Sequence, residues 1–313
     1  VLRFIANRIV SLVPILFGVS LFAFLLVHLV PGDPIQAMVG LEASEEAIQT
    51  LREKYGLDRS LPEQYVIWLG NVVRGDFGRS IQSRRPVADL IGRTLVPTAQ
   101  LAVAAVALSL LIAVPAGVLS ATRRGTWIDH VATFSALSGL SLPSFWLGIL
   151  LIMGFSVQLG WLPSSGYVAL WDDPLRAVRH LLLPMITLGV ALAAATMRMT
   201  RGATLETMRQ DYVRTARAKG LSERVVTGKH VFRNALMPVV TLVGIQIGQL
   251  LGGVVVTETV FAWPGLGKLT VDAIFARDYP IVQAAVLTMG VLFVMINLIT
   301  DILYTVLDPR VRY

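Results

Sequence analysis

Six times along this chain an apolar stretch runs uncharged, or nearly so, for about the 20 residues that a helix needs to cross a bilayer. The stretches are Ile9 to Val30, Thr98 to Ala121, Val131 to Leu159, Leu181 to Met197, Ala235 to Thr257 and Ile281 to about Leu307; only the last holds an acid, Asp301. In hydrocarbon every backbone N–H and C=O must be satisfied internally, which leaves helices or closed barrels. Barrel strands are about 10 residues of alternating polarity, whereas these runs are far longer and apolar on every side. The expected fold class is all-α, an integral membrane protein with six transmembrane helices. Arg3 and Arg8 ahead of the first stretch resemble a signal peptide, but Ile9 to Val30 exceeds a signal core and Pro31-Gly32-Asp33-Pro34 follows instead of a small-residue cleavage pattern. A retained first helix is expected.

Charge orients the helices. The net charge is +7 with only 15% charged residues, and the basic residues lie between the apolar runs, as membrane topology requires. The segment Thr122 to His130 sets Arg123 and Arg124 against Asp129, and Arg198 to Asn234 carries nine Lys or Arg against three acids. Both are expected on the cytoplasmic side. The alternate loops, Gly160 to His180 and Glu258 to Pro280, have no basic excess and are expected outside. Both termini then fall inside.

The segment 31–97 is too long for charge counting and is placed outside. It reads as a small helical external subdomain: one helix opening at Ser44 and closing at Gly56, a second through Trp68 behind the capping-box spacing Ser60-Leu61-Pro62-Glu63, and a third short helix from Pro86 to Leu95. The chain thus divides into 1–30, tail and first helix; 31–97, external subdomain; and 98–313, a core with five helices and the basic segment 198–234.

The sequence has no cysteine, and His28, His130, His180 and His230 are scattered without ligand spacing, so no metal site is expected. Pro14, Pro115, Pro143 and Pro184 interrupt spans and are expected to kink them. Gly244, Gly248 and Gly252 form a four-residue repeat that permits close helix packing. Gln246 and Gln249 lie on roughly the opposite face. Two amides in hydrocarbon must hydrogen-bond a neighbouring helix or line a polar path. Ser135, Ser138 and Ser141 on one flank of the third span pose the same two alternatives.

The basic segment contains Asp211-Tyr212-Val213-Arg214-Thr215-Ala216-Arg217-Ala218-Lys219-Gly220-Leu221-Ser222-Glu223. By composition it is a topogenic or lipid-facing feature. By residue order it resembles the variant of the permease "EAA" loop found in peptide-class importers of the ATP-binding-cassette (ABC) superfamily. Arg214, Thr215 and Ala216 stand where that pattern has Glu-Ala-Ala, with Gly220 following. Further blocks carry the likeness: Pro31-Gly32-Asp33-Pro34, Gly75-Asp76-Phe77-Gly78-Arg79-Ser80, Gly139 to Trp146, His230 to Pro238, Phe261 to Gly267, Arg277-Asp278-Tyr279-Pro280 and Leu307-Asp308-Pro309-Arg310. Together they resemble the B-type permease subunit of the peptide and nickel class of ABC importers.

The resemblance implies a type I importer fold and a subunit forming half of a path for di- or oligopeptides, with glutathione or nickel as alternatives within the family. The implied partners are a second homologous permease, two ATPase subunits that hold ATP and Mg, an external substrate-binding protein and membrane lipid, with no nucleic acid, in a bacterial inner membrane. It implies no catalysis and no cofactor bound by this chain. Gly267-Lys268-Leu269 indeed lacks the phosphate-loop pattern. Asp211, Tyr212, Arg214, Thr215, Ala216, Arg217, Gly220 and Leu221 are the expected coupling residues, with Ala216 and Gly220 giving a partner close approach. A stand-alone secondary transporter is the different-class alternative; it would ordinarily carry ionisable groups deep within its spans, and only His28 and Asp301 approach that.

Overall fold

The computed structural model describes residues 2–29, 49 and 58–307. The expected helix from Ser44 to Gly56 and the blocks at Pro31 and Asp308 therefore lie outside the described residues. Among the described residues the chain is helical, with a single β-bridge between Arg79 and Pro86. Helix α1 is Leu2–Leu29 and α2 is Leu61–Val73. Ser60 caps α2: its N–H donates to Glu63 Oε2 at 3.3 Å, as the capping-box spacing predicts. Helix α3 is Val87–Thr122. It runs without a break, so the expected separate helix from Pro86 to Leu95 is instead its first turns. Pro97 costs one backbone bond there, while Val87 and Ile91 are buried in a hydrophobic core, which offsets the loss.

Helix α4, Trp127–Ser141, and α5, Ser144–Leu151 prolonged by a π-helical turn Ile152–Gln158, replace the expected unbroken third span. They meet at 104°. The residue before a proline is driven out of the helical region, and Leu142 accordingly sits at φ −85°, ψ 125° ahead of Pro143 at φ −60°, ψ 133°. Helix α6, Pro174–Met208, starts at Asp173, whose carboxylate accepts from the Arg176 N–H at 3.0 Å. Helix α7 is Asp211–Ala218; a turn Glu223–Val225 and a π-helical turn Val226–Val231 lead into α8, Phe232–Val260. Helices α9, Leu266–Phe275, and α10, Tyr279–Leu307, complete the order. Val87–Thr122, Pro174–Met208, Glu223–Leu250 and Tyr279–Ile302 are each long and apolar enough to cross a membrane, and α4 with α5 makes a bent fifth; α1 contributes a shorter apolar stretch, Val10–Leu26.

The chain forms two compact units. The first comprises Pro97–Trp263 and the chain from Ile296. Small residues set its helix spacing, as expected where lipid offers no hydrophobic driving force. A Cβ on Gly117 would stand 2.6 Å from Thr200 Cβ and 2.8 Å from the Met197 carbonyl, so only glycine fits that crossing of α3 and α6. One core gathers Leu101, Ala105, Leu188, Leu250, Val254 and Trp263. At that end Trp263 Nε1 donates to the Pro97 carbonyl at 2.9 Å and the Tyr167 ring stands edge-on to the indole at 4.9 Å. Glu258, counted above as a loop acid, lies inside α8 and is fully buried, with Thr98 Oγ1 donating to it at 2.6 Å.

The second unit comprises Leu2–Val96 and Pro264–Met295. Its core joins Val87 and Ile91 to Leu266, Ala273, Ile281, Ala284 and Ala285. Tyr65 of α2 hydrogen-bonds Ser20 of α1 at 2.7 Å, and its ring packs edge-on against Phe17 and Phe24. Two of the sequence blocks, 75–80 and 277–280, meet here. Asp278, buried, accepts from Ser80 Oγ at 2.5 Å and from the N–H groups of Ile81 and Gln82 at 3.1 and 3.2 Å. An acid counted for topology thus serves as an internal anchor.

Candidate functional site

The basic segment folds into a small rigid body. Within Asp211–Ala218, positions three apart share a face, and Val213 and Ala216 turn inward to a core with Val226, Val231 and Met208. Gly220 lies at φ +77°, a conformation that L side chains rarely adopt. Its N–H donates to the Arg217 carbonyl at 2.9 Å, and the Leu221 N–H reaches the Ala216 carbonyl at 3.4 Å. That pair is a Schellman cap, so the glycine ends α7 and reverses the chain. The Tyr212 hydroxyl donates to the His230 carbonyl at 3.2 Å and accepts from Asn234 Nδ2 at 2.8 Å, which fastens α7 to the first turn of α8. Arg217 pairs with Glu223 at 2.7 Å.

The outward face consists of Asp211, Tyr212, Arg214, Thr215, Arg217, Gly220 and Leu221, all exposed. Ala216 was expected to offer close approach to a partner; at 6% exposure it faces its own chain instead. The helical register decides this, since a residue three after the buried Val213 must share its face. A Cβ built on Gly220 meets no described residue within 4 Å.

Above this body is a buried ion pair that sequence reasoning missed. Asp129, 4% exposed, accepts from Arg201 Nε and an Arg201 terminal nitrogen at 2.8 and 2.9 Å, from Ser120 Oγ at 2.5 Å and from the Gly125 N–H at 3.0 Å. The two-pronged contact joins the end of α3, the start of α4 and α6. In the sequence both residues register only as loop charges. The available signal was an acid beside a span whose neighbouring span ends in arginine, since charges there demand partners.

The polar candidates within the spans separate. Gln246 is buried: Thr196 Oγ1 donates to its carbonyl oxygen at 3.0 Å, and its amide donates to the Leu192 carbonyl at 3.2 Å. Gln249 is exposed, as are Ser135 and Ser141, while Ser138 is half-buried and Ser141 Oγ donates to the Leu137 carbonyl at 3.0 Å. The glycine repeat separates too. Gly244 is pressed against Thr300 of α10, Gly248 is buried, and Gly252 is exposed with no described residue within 4 Å of a Cβ built there. Among the described residues no cluster of His, Asp or Glu could hold a metal ion.

Residues 113–313 match the family described as "Binding-protein-dependent transport system inner membrane component", and residues 1–102 match its N-terminal counterpart. Among curated proteins, "Glutathione transport system permease protein GsiC" of Escherichia coli strain K12 and its namesake of Shigella dysenteriae serotype 1 strain Sd197 are each 45% identical over 312 residues, 100% of this chain and 99% of theirs. Among solved structures, the inward-facing MetNI methionine ABC transporter aligns with a TM-score of 0.58 at 20% identity, covering 70% of this chain and 96% of that one. An amino acid ABC transporter aligns with a TM-score of 0.54 at 13% identity, covering 69% and 94%. These structural likenesses establish the fold, that of a type I ABC importer permease. With both family matches together spanning nearly its full length, the chain belongs to the binding-protein-dependent transport system inner membrane components and is a permease subunit of the peptide/nickel class of ABC importers, a multi-pass protein of the inner membrane.

Proposed function

We propose that this subunit forms half of the translocation pathway of an ATP-driven, binding-protein-dependent importer of short peptides, glutathione among them. The supporting observation is the 45% identity, over the whole chain, to permeases named for glutathione transport. Glutathione is itself a tripeptide, so this substrate lies within the peptide class that the sequence blocks suggest.

A second homologous permease completes the path, an external binding protein delivers substrate, and two ATPase subunits supply ATP and Mg. The outward face of α7, with Arg214, Thr215 and Arg217, together with Leu221 just beyond its cap, docks on an ATPase subunit. Because Val213 and Ala216 lock α7 to the turn Val226–Val231, and Tyr212 locks it to Asn234, displacement of α7 carries α8 with it. The ion pair Arg201–Asp129 extends that rigid linkage from α6 to α3 and α4. Motion at the ATPases then becomes alternating access. Gln249, Ser135 and Ser141, exposed on this chain, line the path, while Gln246 is held by Thr196 and Leu192. The segment 198–234 and both termini lie on the cytoplasmic side, and 31–97 lies outside.

The test is uptake into proteoliposomes holding the assembled permease pair, ATPases and binding protein. ATP-dependent accumulation of glutathione, or of di- and tripeptides in competition with it, is the expected result. Nickel uptake without peptide uptake would overturn the substrate class, and proton-driven uptake by this chain alone would overturn the mechanism.

A further inference from the structure

Two open-sided cavities on the first unit join end to end. One, of about 740 Å³, lies between α3, α8 and α10 and is lined almost wholly by carbon, with Ala107, Leu111, Val240, Val243 and Ile247 along its walls. The second, of about 890 Å³, shares Val114 and Pro115 with the first and continues toward the α7 end of the spans. There the lining changes character to Arg123, Arg224, Thr122 and Thr227. Both arginines are exposed, and among the described residues neither is in an ion pair with a carboxylate. Glu223, the carboxylate in this mouth, is engaged by Arg217 at 2.7 Å.

The groove follows α3 from Ala107 to Arg123, roughly 24 Å at 1.5 Å per residue. One leaflet of a bilayer provides about 15 Å of hydrocarbon and about 5–7 Å of headgroup region. The length, the apolar slot and the cationic mouth thus match one phospholipid with its phosphate at the arginines. We infer that the groove between α3, α8 and α10 is a binding site for an anionic phospholipid of the leaflet nearest α7, an acyl chain filling the slot beside Val240 and Val243 and the headgroup bridging Arg123 and Arg224. A zwitterionic lipid fills the slot equally well but meets the two cations with no net charge, so the arginines set the preference. Seated between three spans next to the coupling segment, the lipid packs against α8 where α7 acts on it.

The experiment is native mass spectrometry of the purified assembled complex titrated with dioleoyl phosphatidylglycerol or dioleoyl phosphatidylethanolamine. The wild-type complex is expected to retain phosphatidylglycerol at least ten-fold better, and Arg123→Gln with Arg224→Gln to bring the two lipids level. Arg123→Lys with Arg224→Lys is expected to keep the preference, showing that charge and not folding is read. A photo-crosslinking amino acid in place of Leu111 should form a lipid adduct. Equal retention of both lipids by the wild type, a preference untouched by the double glutamine variant, or a Leu111 adduct to the partner permease would each overturn the assignment.

Discussion

Replacing Asp129 with asparagine removes one charge from a site that is only 4% exposed while keeping its volume. The carboxylate accepts from four groups: Arg201 through two nitrogens, Ser120, Gly125 and, more weakly, Thr133 at 3.5 Å. Asparagine offers one acceptor oxygen and presents an NH₂ to a donor. Breaking a fully buried pair by removing one partner costs about 3–5 kcal/mol. The Arg201 side chain keeps 29% exposure, so water reaches the stranded guanidinium and the cost falls to about 2 kcal/mol. At roughly 2–4 °C per kcal/mol the midpoint should drop by about 4–8 °C. The assay is a thermal melt of the detergent-solubilised complex at fixed scan rate, since unfolding of such proteins is often irreversible. Arg201→Met should cost at least as much, because it strands the carboxylate, and the double variant should cost less than the two single losses added. An Asp129→Asn midpoint within 1 °C of wild type, or strictly additive losses, would refute a coupled buried pair.

Asp278→Ala strands the Ser80 hydroxyl and two backbone N–H groups and should cost about 2–4 kcal/mol, read as earlier proteolysis between Gly75 and Arg85, while Ser80→Ala should cost about 1 kcal/mol. Gln246→Leu should lower the melting midpoint by a few degrees, since it leaves Thr196 Oγ1 without one of its partners, whereas Gln249→Leu should leave the midpoint unchanged and reduce uptake; the reverse order would show Gln246 to be the path-lining amide. In this cysteine-free chain, a membrane-impermeant thiol reagent applied to intact spheroplasts should label Ser83→Cys and spare Ser222→Cys; the opposite pattern would invert the topology.

Four of the six expected spans, and a fifth as a bent pair, were legible because apolar length alone decides them, and the Ser60 cap because its spacing is local. The bend at Pro143 was legible as a kink but not as a 104° turn, since its size depends on what α4 and α5 pack against. Asp129, Glu258 and Asp278 enter the sequence reading only as loop charges, whereas each is buried and hydrogen-bonded to residues 9 to 198 positions away. Charge counting cannot distinguish an acid that faces water from one that anchors a turn. In the basic segment the Gly220 cap was readable from the helix formers before it. The inward turn of Ala216 was not, because it requires knowing that Val213 packs on Val226 and Val231.

The docking of α7 on an ATPase subunit is tested most directly by substrate-stimulated ATP hydrolysis and uptake in a complex carrying Gly220→Trp. Gly220→Ala is the control, since it shares the backbone strain at φ +77°, about 1–2 kcal/mol, without the bulk. Both variants should insert and assemble, Gly220→Ala should keep most of the coupled activity, and Gly220→Trp should lose substrate-stimulated hydrolysis and uptake together. Normal uptake by a fully assembled Gly220→Trp complex would contradict that docking and return the basic segment to a topogenic or lipid-contact role.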